Sequence, residues 1–479
     1  MAKNITPRTK DFPQWYQDVI SAGELADHSP VKGCMVIRPD GYAIWEAMQA
    51  KLDRKFKETG HVNAYFPLLI PESFITKEAE HVEGFAPELA VVTRAGGKEL
   101  EEPYVIRPTS ETIIGHMYSK WVKSYRDLPV LINQWCNVMR WEKRTRLFLR
   151  TTEFLWQEGH TAHETEKEAQ AETLKMLDIY KEFLEKTCAI PVIPGEKPAH
   201  EKFPGALTTY TVEAMMQDQK ALQMATSHNL GQNFSKAFEI QFLDRNNELD
   251  LAWTTSWGCT TRMIGALIMT HGDDDGLIIP PNLAPTQVVI VPIYKNDDEK
   301  RAVLEHAEKI AAILRKCLDS LKIKIDYRED MRPGDKFFTW IQKGVPLRIE
   351  VGPKDVENNS GMTARRDIRQ KEPLNLEVME QRIPEILEEI QKSLFQKAKT
   401  YQDESIHVAS SYNELKEILT KKGGFAYAPW DGMLETAKQV QEETKATIRL
   451  IQTDKDHESK KCIISGQDAT CQALFGIAY

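Results

Sequence analysis

Residues 137–160 read NVMRWEKRTRLFLRTTEFLWQEGH, and this stretch decides the fold. From Arg140 to Arg150 it holds five basic residues (Arg140, Lys143, Arg144, Arg146, Arg150) against one acid, Glu142, a local charge of 5 − 1 = +4. The flanks alternate, Arg-Trp-Glu on one side and Leu-Phe-Leu-Arg on the other. That pattern predicts two strands with a basic connection. Such a hairpin holds several guanidinium groups at one end of a sheet, and planar arginine forks suit phosphate oxygens better than flexible ammonium groups do. A solvated hairpin face is the competing reading, and spacing alone leaves both open.

Working outward, residues 107–111 (RPTSE) place Thr109 and Glu111 one residue apart, so they point the same way on an extended segment or around a turn. A carboxylate beside a hydroxyl suits a small cationic amine. The same letters also fit a helix N-cap, Thr109 or Ser110, with Glu111 in the first turn, and taken alone that reading is favoured. Downstream, residues 223–228 (QMATSH) are followed by residues 253–265 (WTTSWGCTTRMIG). Arg262 stands alone in a small, apolar helix start, either paired with a buried acid or facing an anion. His228 alone reads as a structural histidine. His160 and His163 lack a third ligand at matching spacing and read as structural. There is no G-x-x-x-x-G-K-[ST] phosphate loop and no G-x-S-x-G nucleophile elbow.

The chain has 479 residues, 41% hydrophobic and 28% charged, with a formal charge of 62 − 71 = −9. That excludes global disorder and low complexity, and the bulk charge does not suggest a nucleic-acid partner. Seven scattered cysteines argue against a disulfide framework and for a reducing compartment. No signal-peptide pattern opens the chain and no apolar run approaches a membrane span, so the expectation is a cytoplasmic protein without membrane contact. Residues 278–285 (IIPPNLAP) carry three prolines and read as a linker. Beyond it, strand-like 286–291, a helical face of Val303, Ala307, Ile310 and Leu314, strand-like 323–327, a short helix at 336–343 and strand-like 347–351 indicate a small α/β domain with a largely parallel sheet. Residues 374–399 read as a charged amphipathic helix, and Gly423–Gly424 opens a final compact piece. The first 280 residues read as α+β, including a helix carrying Leu174, Leu177 and Leu184.

Taken together, these constellations resemble class II aminoacyl-tRNA synthetases, and within them the prolyl-tRNA synthetases of the eukaryotic and archaeal-like type. Residues 34–71 resemble motif 1, residues 107–111 the T-x-E loop, residues 137–158 motif 2 and residues 259–269 motif 3. Residues 348–367 resemble the anticodon-binding domain. The resemblance implies an α+β multidomain chain: an antiparallel-sheet catalytic domain over residues 1–283, an α/β anticodon-binding domain over 284–395 and a small α+β C-terminal domain over 396–479. It implies a homodimer that joins L-proline to tRNA(Pro) through prolyl-adenylate, using ATP with Mg2+. By the same resemblance, Arg140 and Arg262 are catalytic. Thr109, Glu111, Arg140, Trp156, His228 and Cys259 bind proline. Arg140, Glu142, Thr151, Thr152, Gln223, Thr226 and Arg262 bind ATP. Arg348, Glu350, Lys354, Arg365 and Arg366 are candidates for anticodon reading, which needs exposed donors. The carboxylate of Tyr479 is expected near the active site.

Two departures from the family pattern carry expectations. About 100 residues separate Glu158 from Cys259, too few for an inserted editing domain, so alanine misactivation without cis-editing is expected. Relatives often bind zinc through four C-terminal cysteines. Here Asp431 stands at one such position, and C-x-x-C-G has become Cys462-Ile463-Ile464-Ser465-Gly466. One surviving thiolate cannot make a tetrahedral site, so no structural zinc is expected. Threonyl and seryl synthetases are disfavoured by the missing Cys/His/His set and the missing N-terminal coiled coil. A non-charging paralogue is disfavoured by the presence of Arg140, Glu142 and Arg262. The basic patches, +4 above and 4 − 1 = +3 over residues 365–371, reconcile a tRNA partner with the acidic total.

Overall fold

The computed structural model describes residues 4–75, 89–452 and 460–479. Its main feature is an eleven-stranded sheet. The basic hairpin forms as read: β2 (Val130–Met139) and β3 (Glu153–His163) pair antiparallel from Val130↔Ala162 to Met139↔Glu153, and residues 140–152 connect them. The short β1 (Val62–Asn63) runs parallel to β2 at the sheet edge. On the other side of β3 lie β7 (Trp253–Thr260), β6 (Ala221–Gly231), β5 (Thr208–Met215) and β4 (Val192–Glu196), all antiparallel to their neighbours.

Helices cover this sheet for identifiable reasons. α1 (Pro39–Glu58) opens with Pro at its first turn and buries Ile44, Trp45, Met48, Leu52 and Phe56, an i, i+4, i+8 stripe. α2 (Glu111–Trp121) follows the RPTSE segment. α3 (Glu166–Glu182) starts at a capping box, in which Thr165 accepts from the Glu168 N–H and Glu168 accepts from the Thr165 N–H. It lays Ala169, Thr173, Met176 and Tyr180 against the sheet. The expected helix differs here: Leu177 and Leu184 are buried, but Leu174 is exposed, and Leu184 lies in the wider turn that follows the helix. α4 (Arg262–His271) leaves β7 directly and buries Met263 through Met269 in the largest core cluster.

The proline-rich run 278–285 is more than a tether. Ile278, Ile279, Leu283 and Ala284 are buried, so it is packed into the cores it joins. The α/β unit beyond it has five strands in the order β9 (Ile323–Ile325), β8 (Val288–Pro292), β10 (Leu347–Val351), β11 (Ser360–Arg365), β12 (Lys371–Asn375). The first three are parallel and the last two antiparallel, so the largely parallel expectation holds for one half of the sheet only. α5 (Asp297–Leu314), α6 (Pro333–Gln342) and α7 (Leu376–Glu404) flank it. The predicted face of Val303, Ala307, Ile310 and Leu314 is fully buried. Asp335 sits in the first turn of α6.

The last unit is not free-standing. Its strands β13 (Ile406–Val408), β14 (Phe425–Trp430), β16 (Cys471–Gly476) and β15 (Thr447–Gln452) continue the main sheet, with β15 meeting β4 at Ile451↔Glu196. α8 (Leu434–Thr444) covers its own core, which includes Leu415, Trp430, Val440, Ile448 and Phe475. At the seam, the Arg449 guanidinium on β15 makes three hydrogen bonds of 3.0–3.2 Å to the Glu213 carboxylate on β5, with both side chains buried. Removing one partner of such a pair strands a buried charge, at a cost of about 3–5 kcal/mol.

Candidate active site

A cavity of about 420 Å3 opens on the face of the main sheet, between the basic hairpin and the start of α4. Strand periodicity fills it. On β3, Phe154, Trp156, Glu158 and His160 recur every second residue and all line it. On β6, Gln223 is three residues from Thr226, an odd spacing for one strand face. The register shift between Val212 and Glu213 on β5 leaves Met224 unpaired, and this bulge brings Gln223 to the same cavity as Thr226 and His228. Of the residues expected to bind proline or ATP, Thr109, Glu111, Arg140, Glu142, Thr151, Trp156, Gln223, Thr226, His228, Cys259 and Arg262 line the cavity. Thr152 does not. It is buried behind the hairpin, where its N–H donates to the Gly33 carbonyl. A Cβ on Gly33 would stand 2.1 Å from the Thr152 hydroxyl, and Gly33 also has a φ of +79°.

One end of the cavity is cationic. Arg262 Nε donates to the Leu149 carbonyl (3.1 Å) and Nη1 to the Gln223 carbonyl (3.3 Å). Among the described ion pairs none includes Arg262, although the charge of the buried Glu213 carboxylate acts on it. Burial, followed by the charges of Arg150 and Arg140, pushes its guanidinium down to about 10. Arg140 Nε donates to the Pro108 carbonyl (2.9 Å), and its guanidinium lies 5.6 Å from the Phe154 ring centroid and 5.5 Å from that of Trp156. Glu142 is ion-paired with Arg150 Nε at 3.2 Å. Thr151 turns its hydroxyl to the Glu153 carbonyl.

The other end is acidic. Thr109 Oγ1 donates to Glu111 Oε2 at 2.5 Å. Ser110 takes the N-cap position of α2, but its hydroxyl makes no capping bond and donates to Glu158 Oε1 instead. The cap reading of this segment is therefore right in position and wrong in chemistry. Glu158 also accepts from Gln134 Nε2 (2.8 Å) and pairs with His160 Nε2 (2.9 Å). Burial alone would raise the Glu158 carboxyl, but the bonds from His160, Ser110 and Gln134 outweigh it and hold it below the usual range. Burial works against charge on His160 too, yet the Glu158 bond and the charges of Glu158 and Glu111 raise it. His160 is thus part of the cavity, a correction to its reading as structural. His163, which meets the Thr161 hydroxyl and is pushed down to about 4 chiefly by burial, keeps that reading. His228 bonds Thr209 Oγ1 through Nδ1 (3.0 Å) and packs 4.6 Å from the Phe203 ring. Burial, with His160 and Arg140 nearby, pushes it down to about 3, which leaves a neutral imidazole at pH 7. Sequence reasoning missed Glu158 and His160, although they continue the period-two run begun by Phe154 and Trp156. It also missed Phe203, for which spacing gave no signal.

A second cavity, of about 150 Å3, lies in the α/β unit and is lined by Trp340 with Arg348, Arg365, Arg366, Arg369 and Lys371. Three of the five candidates for anticodon reading are therefore there, while Glu350 and Lys354 are not among its lining residues. Arg348 and Lys371 are both tied to Glu350, and Arg365 to Asp367 and Glu389. Lys354 is exposed. Arg366 corrects the expectation of an exposed donor: it is 5% exposed, and Nη1 and Nη2 grip Asp273 at 2.8 and 2.6 Å. In the C-terminal unit, Asp431 accepts from Thr436 Oγ1 (2.7 Å), Ser465 Oγ (2.5 Å) and the Met433 N–H (3.1 Å), and it also bonds Cys462. Tyr479 pairs its N–H with the Ala221 carbonyl, two residues from Gln223, and its ring lies 5.6 Å from the Arg146 guanidinium.

Comparison with known proteins identifies the family. Residues 92–271 match the tRNA synthetase class II core domain (G, H, P, S and T), residues 287–386 the anticodon binding domain, and residues 412–479 the C-terminal domain of prolyl-tRNA synthetase. A Proline--tRNA ligase of Roseiflexus sp. (strain RS-1) is 56% identical over 100% of this chain and 99% of the relative. One from Bacteroides fragilis is 53% identical with the same coverage. The crystal structure of prolyl-tRNA synthetase from Cryptosporidium parvum complexed with halofuginone and AMPPNP superposes with a TM-score of 0.94 at 40% identity, covering 99% of this chain and 97% of that one. On identity, coverage and domain order alike, the chain belongs to the prolyl-tRNA synthetase family of class II aminoacyl-tRNA synthetases.

Proposed function

We propose that the cavity activates L-proline with ATP to prolyl-adenylate and pyrophosphate, then passes the prolyl group to the 3′-terminal adenosine of tRNA(Pro). The observation that carries this is the polarity of the cavity: carboxylates at Glu111 and Glu158 at one end, guanidinium groups at Arg150 and Arg262 at the other. The amine of proline sits against Thr109 and Glu111, its ring against Trp156 and Cys259, with neutral His228 beside it. Arg140 lies between the two ends. It holds the proline carboxylate against the α-phosphate and stabilises the charge that builds as the carboxylate oxygen attacks phosphorus. Arg262 takes the γ-phosphate. Glu142 accepts from the adenine amino group, with Thr151 beside the base and Gln223 and Thr226 on the ribose side. No side chain is needed as a general base, because positioning and electrostatics supply the rate.

Among the described residues no group of three or more His, Cys, Asp or Glu could hold a metal ion. The phosphate end offers arginines. This donor set fits a Mg2+ ion that arrives on the ATP phosphates, where it supplies charge neutralisation. The cation-lined cavity of the α/β unit serves the anticodon through Arg348 and Arg365. We place the domains at residues 1–283, 284–395 and 396–479, in a homodimer working in the cytoplasm. No helix among the described residues is long and apolar enough to cross a membrane.

The pocket also activates alanine, and no cis-editing domain corrects it. Between Glu158 and Cys259 every described strand belongs to the main sheet except the hairpin Gln241–Leu243 and Leu249–Leu251. Each methylene that alanine lacks costs only about 1–3 kcal/mol of discrimination. ATP–pyrophosphate exchange with a panel of amino acids tests both statements. Proline gives the highest kcat/KM and alanine a measurable one. Stimulation by another amino acid but not proline overturns the substrate, and alanine at background overturns the misactivation.

A further inference from the structure

Cys136, on β2, has no role in the functional reading above, yet it links two walls of the proline end. Its Sγ accepts the indole N–H of Trp156 at 3.2 Å and donates to Glu158 Oε1 at 3.4 Å. Glu158 also takes the Ser110 hydroxyl, and Ser110 lies between Thr109 and Glu111 in the chain. One buried carboxylate thus ties the amine-binding loop to the aromatic wall, and the thiol is the link to the ring.

The other ring contacts of Trp156 among the described residues are aromatic or cationic. Arg140 lies 5.5 Å from its ring centroid and Phe154 meets it edge-on at 6.2 Å. Those contacts bound the ring without fixing its rotation, whereas a hydrogen bond at the indole nitrogen does. Trp156 is only 9% exposed, so without the sulfur its N–H is left buried and unpaired or must turn toward the cavity. Burial, and then the neighbouring Glu158 charge, push the Cys136 thiol well above its ordinary range, so it remains a protonated donor to Glu158.

We propose that Cys136 is a positioning residue that fixes the Trp156 ring against the substrate and thereby sets the preference for proline over alanine. This rests on the reading of the cavity as a proline site. Alanine has no ring to place against Trp156, so the effect falls on proline alone.

The test is amino-acid-dependent pyrophosphate exchange by the full chain with proline and with alanine. Cys136→Ala raises KM for proline about fivefold, the worth of one neutral hydrogen bond. It leaves kcat for proline and both alanine constants within twofold, so discrimination falls about fivefold. Cys136→Ser, which can still accept from the indole and donate to Glu158, recovers most of the loss. Trp156→Phe keeps a ring but removes the N–H, and the double variant Cys136→Ala/Trp156→Phe is no worse than Trp156→Phe alone. Equal losses for proline and alanine, a proline KM unchanged in Cys136→Ala, or additive losses in the double variant each overturn the proposal. If Cys136→Ala fails to fold, Cys136→Ser and Trp156→Phe decide: Trp156→Phe must show the proline-only rise in KM, and Cys136→Ser must stay near the parent. A parent chain that exchanges with another amino acid but not with proline overturns the substrate reading first, and this proposal with it.

Discussion

The contact between Asp273 and Arg366 yields the sharpest prediction about how the α/β unit is held. Asp273 follows α4, the helix that begins with Arg262, and takes both Nη atoms of Arg366 from the end of β11. The Arg366 side chain is 3% exposed and that of Asp273 18%, with Arg369 adding a more exposed bond at 2.9 Å. Asp273→Asn keeps the shape but removes the charge, which leaves the Arg366 guanidinium buried without its counter-ion. Breaking a buried pair costs about 3–5 kcal/mol, and the solvent access of Asp273 reduces this to about 2–4 kcal/mol. Arg366→Met leaves Asp273 with Arg369 and water, so it costs less, about 1–2 kcal/mol, and the double variant costs less than the sum. At about 2–4 °C per kcal/mol, Asp273→Asn lowers the first transition in scanning calorimetry at pH 7 by about 4–16 °C. Burial opposes ionisation of Asp273, but Arg366 and then Arg369 hold its carboxyl well below the usual range. A depressed folded-state value means stability that is present above the unfolded value of about 3.9 and lost as pH falls through the folded one. The gap between parent and variant therefore persists at pH 5 and narrows only below about pH 4. An Asp273→Asn melt within 1 °C of the parent at pH 7, or strictly additive losses in the double variant, would refute the reasoning.

Two further outcomes follow from the other charged clusters. Arg262→Ala lowers proline-dependent pyrophosphate exchange by about 10²–10³-fold without lowering the melting temperature, because it removes a positive charge that its neighbours oppose; an unchanged kcat would sink the assignment. Ser465→Ala removes one bond to Asp431 and destabilises the C-terminal unit by about 1 kcal/mol, while chelator leaves the parent melt unchanged. Burial would raise Asp431, but the bonds from Ser465, Thr436 and Met433 depress it, so this contribution too is lost only as pH falls below about 4. Stoichiometric zinc in chelator-washed protein would show that the site works differently.

Periodicity made much of this legible in advance. The hairpin 137–160 was readable because alternation and charge agree, and α5 because its apolar stripe repeats at helical spacing. What could not be read depends on contacts between distant segments. Thr152 neighbours Thr151 in sequence but faces Gly33, across more than a hundred residues. Gln223, expected from the family resemblance and not from strand period, reaches the cavity because a bulge at Met224 interrupts that period. Arg366 lies in a basic run that looks exposed until Asp273 is brought against it from another domain. The joining of β15 to β4 rests on a single residue pair, for which no local pattern exists.

The cavity's electrostatics connect its two ends. Arg140, Arg150 and Arg262 converge in a partly dry space, where Arg150 is ion-paired with Glu142. The charges of Arg150 and Arg140 work against Arg262 being charged, so their convergence costs free energy in the empty enzyme. A polyphosphate removes that cost, and it adds hydrogen bonds to forks already held by the carbonyls of Pro108, Leu149 and Gln223. At the opposite end Glu158 is already engaged by His160, Ser110 and Gln134, whereas Glu111 takes only the Thr109 hydroxyl among the described hydrogen bonds. On the proposed reading, an amino acid presents the complementary charges, ammonium toward Glu111 and carboxylate toward Arg140. Its orientation is then set before any side chain is sensed, and on the same reading the choice of amino acid falls to the wall built by Trp156.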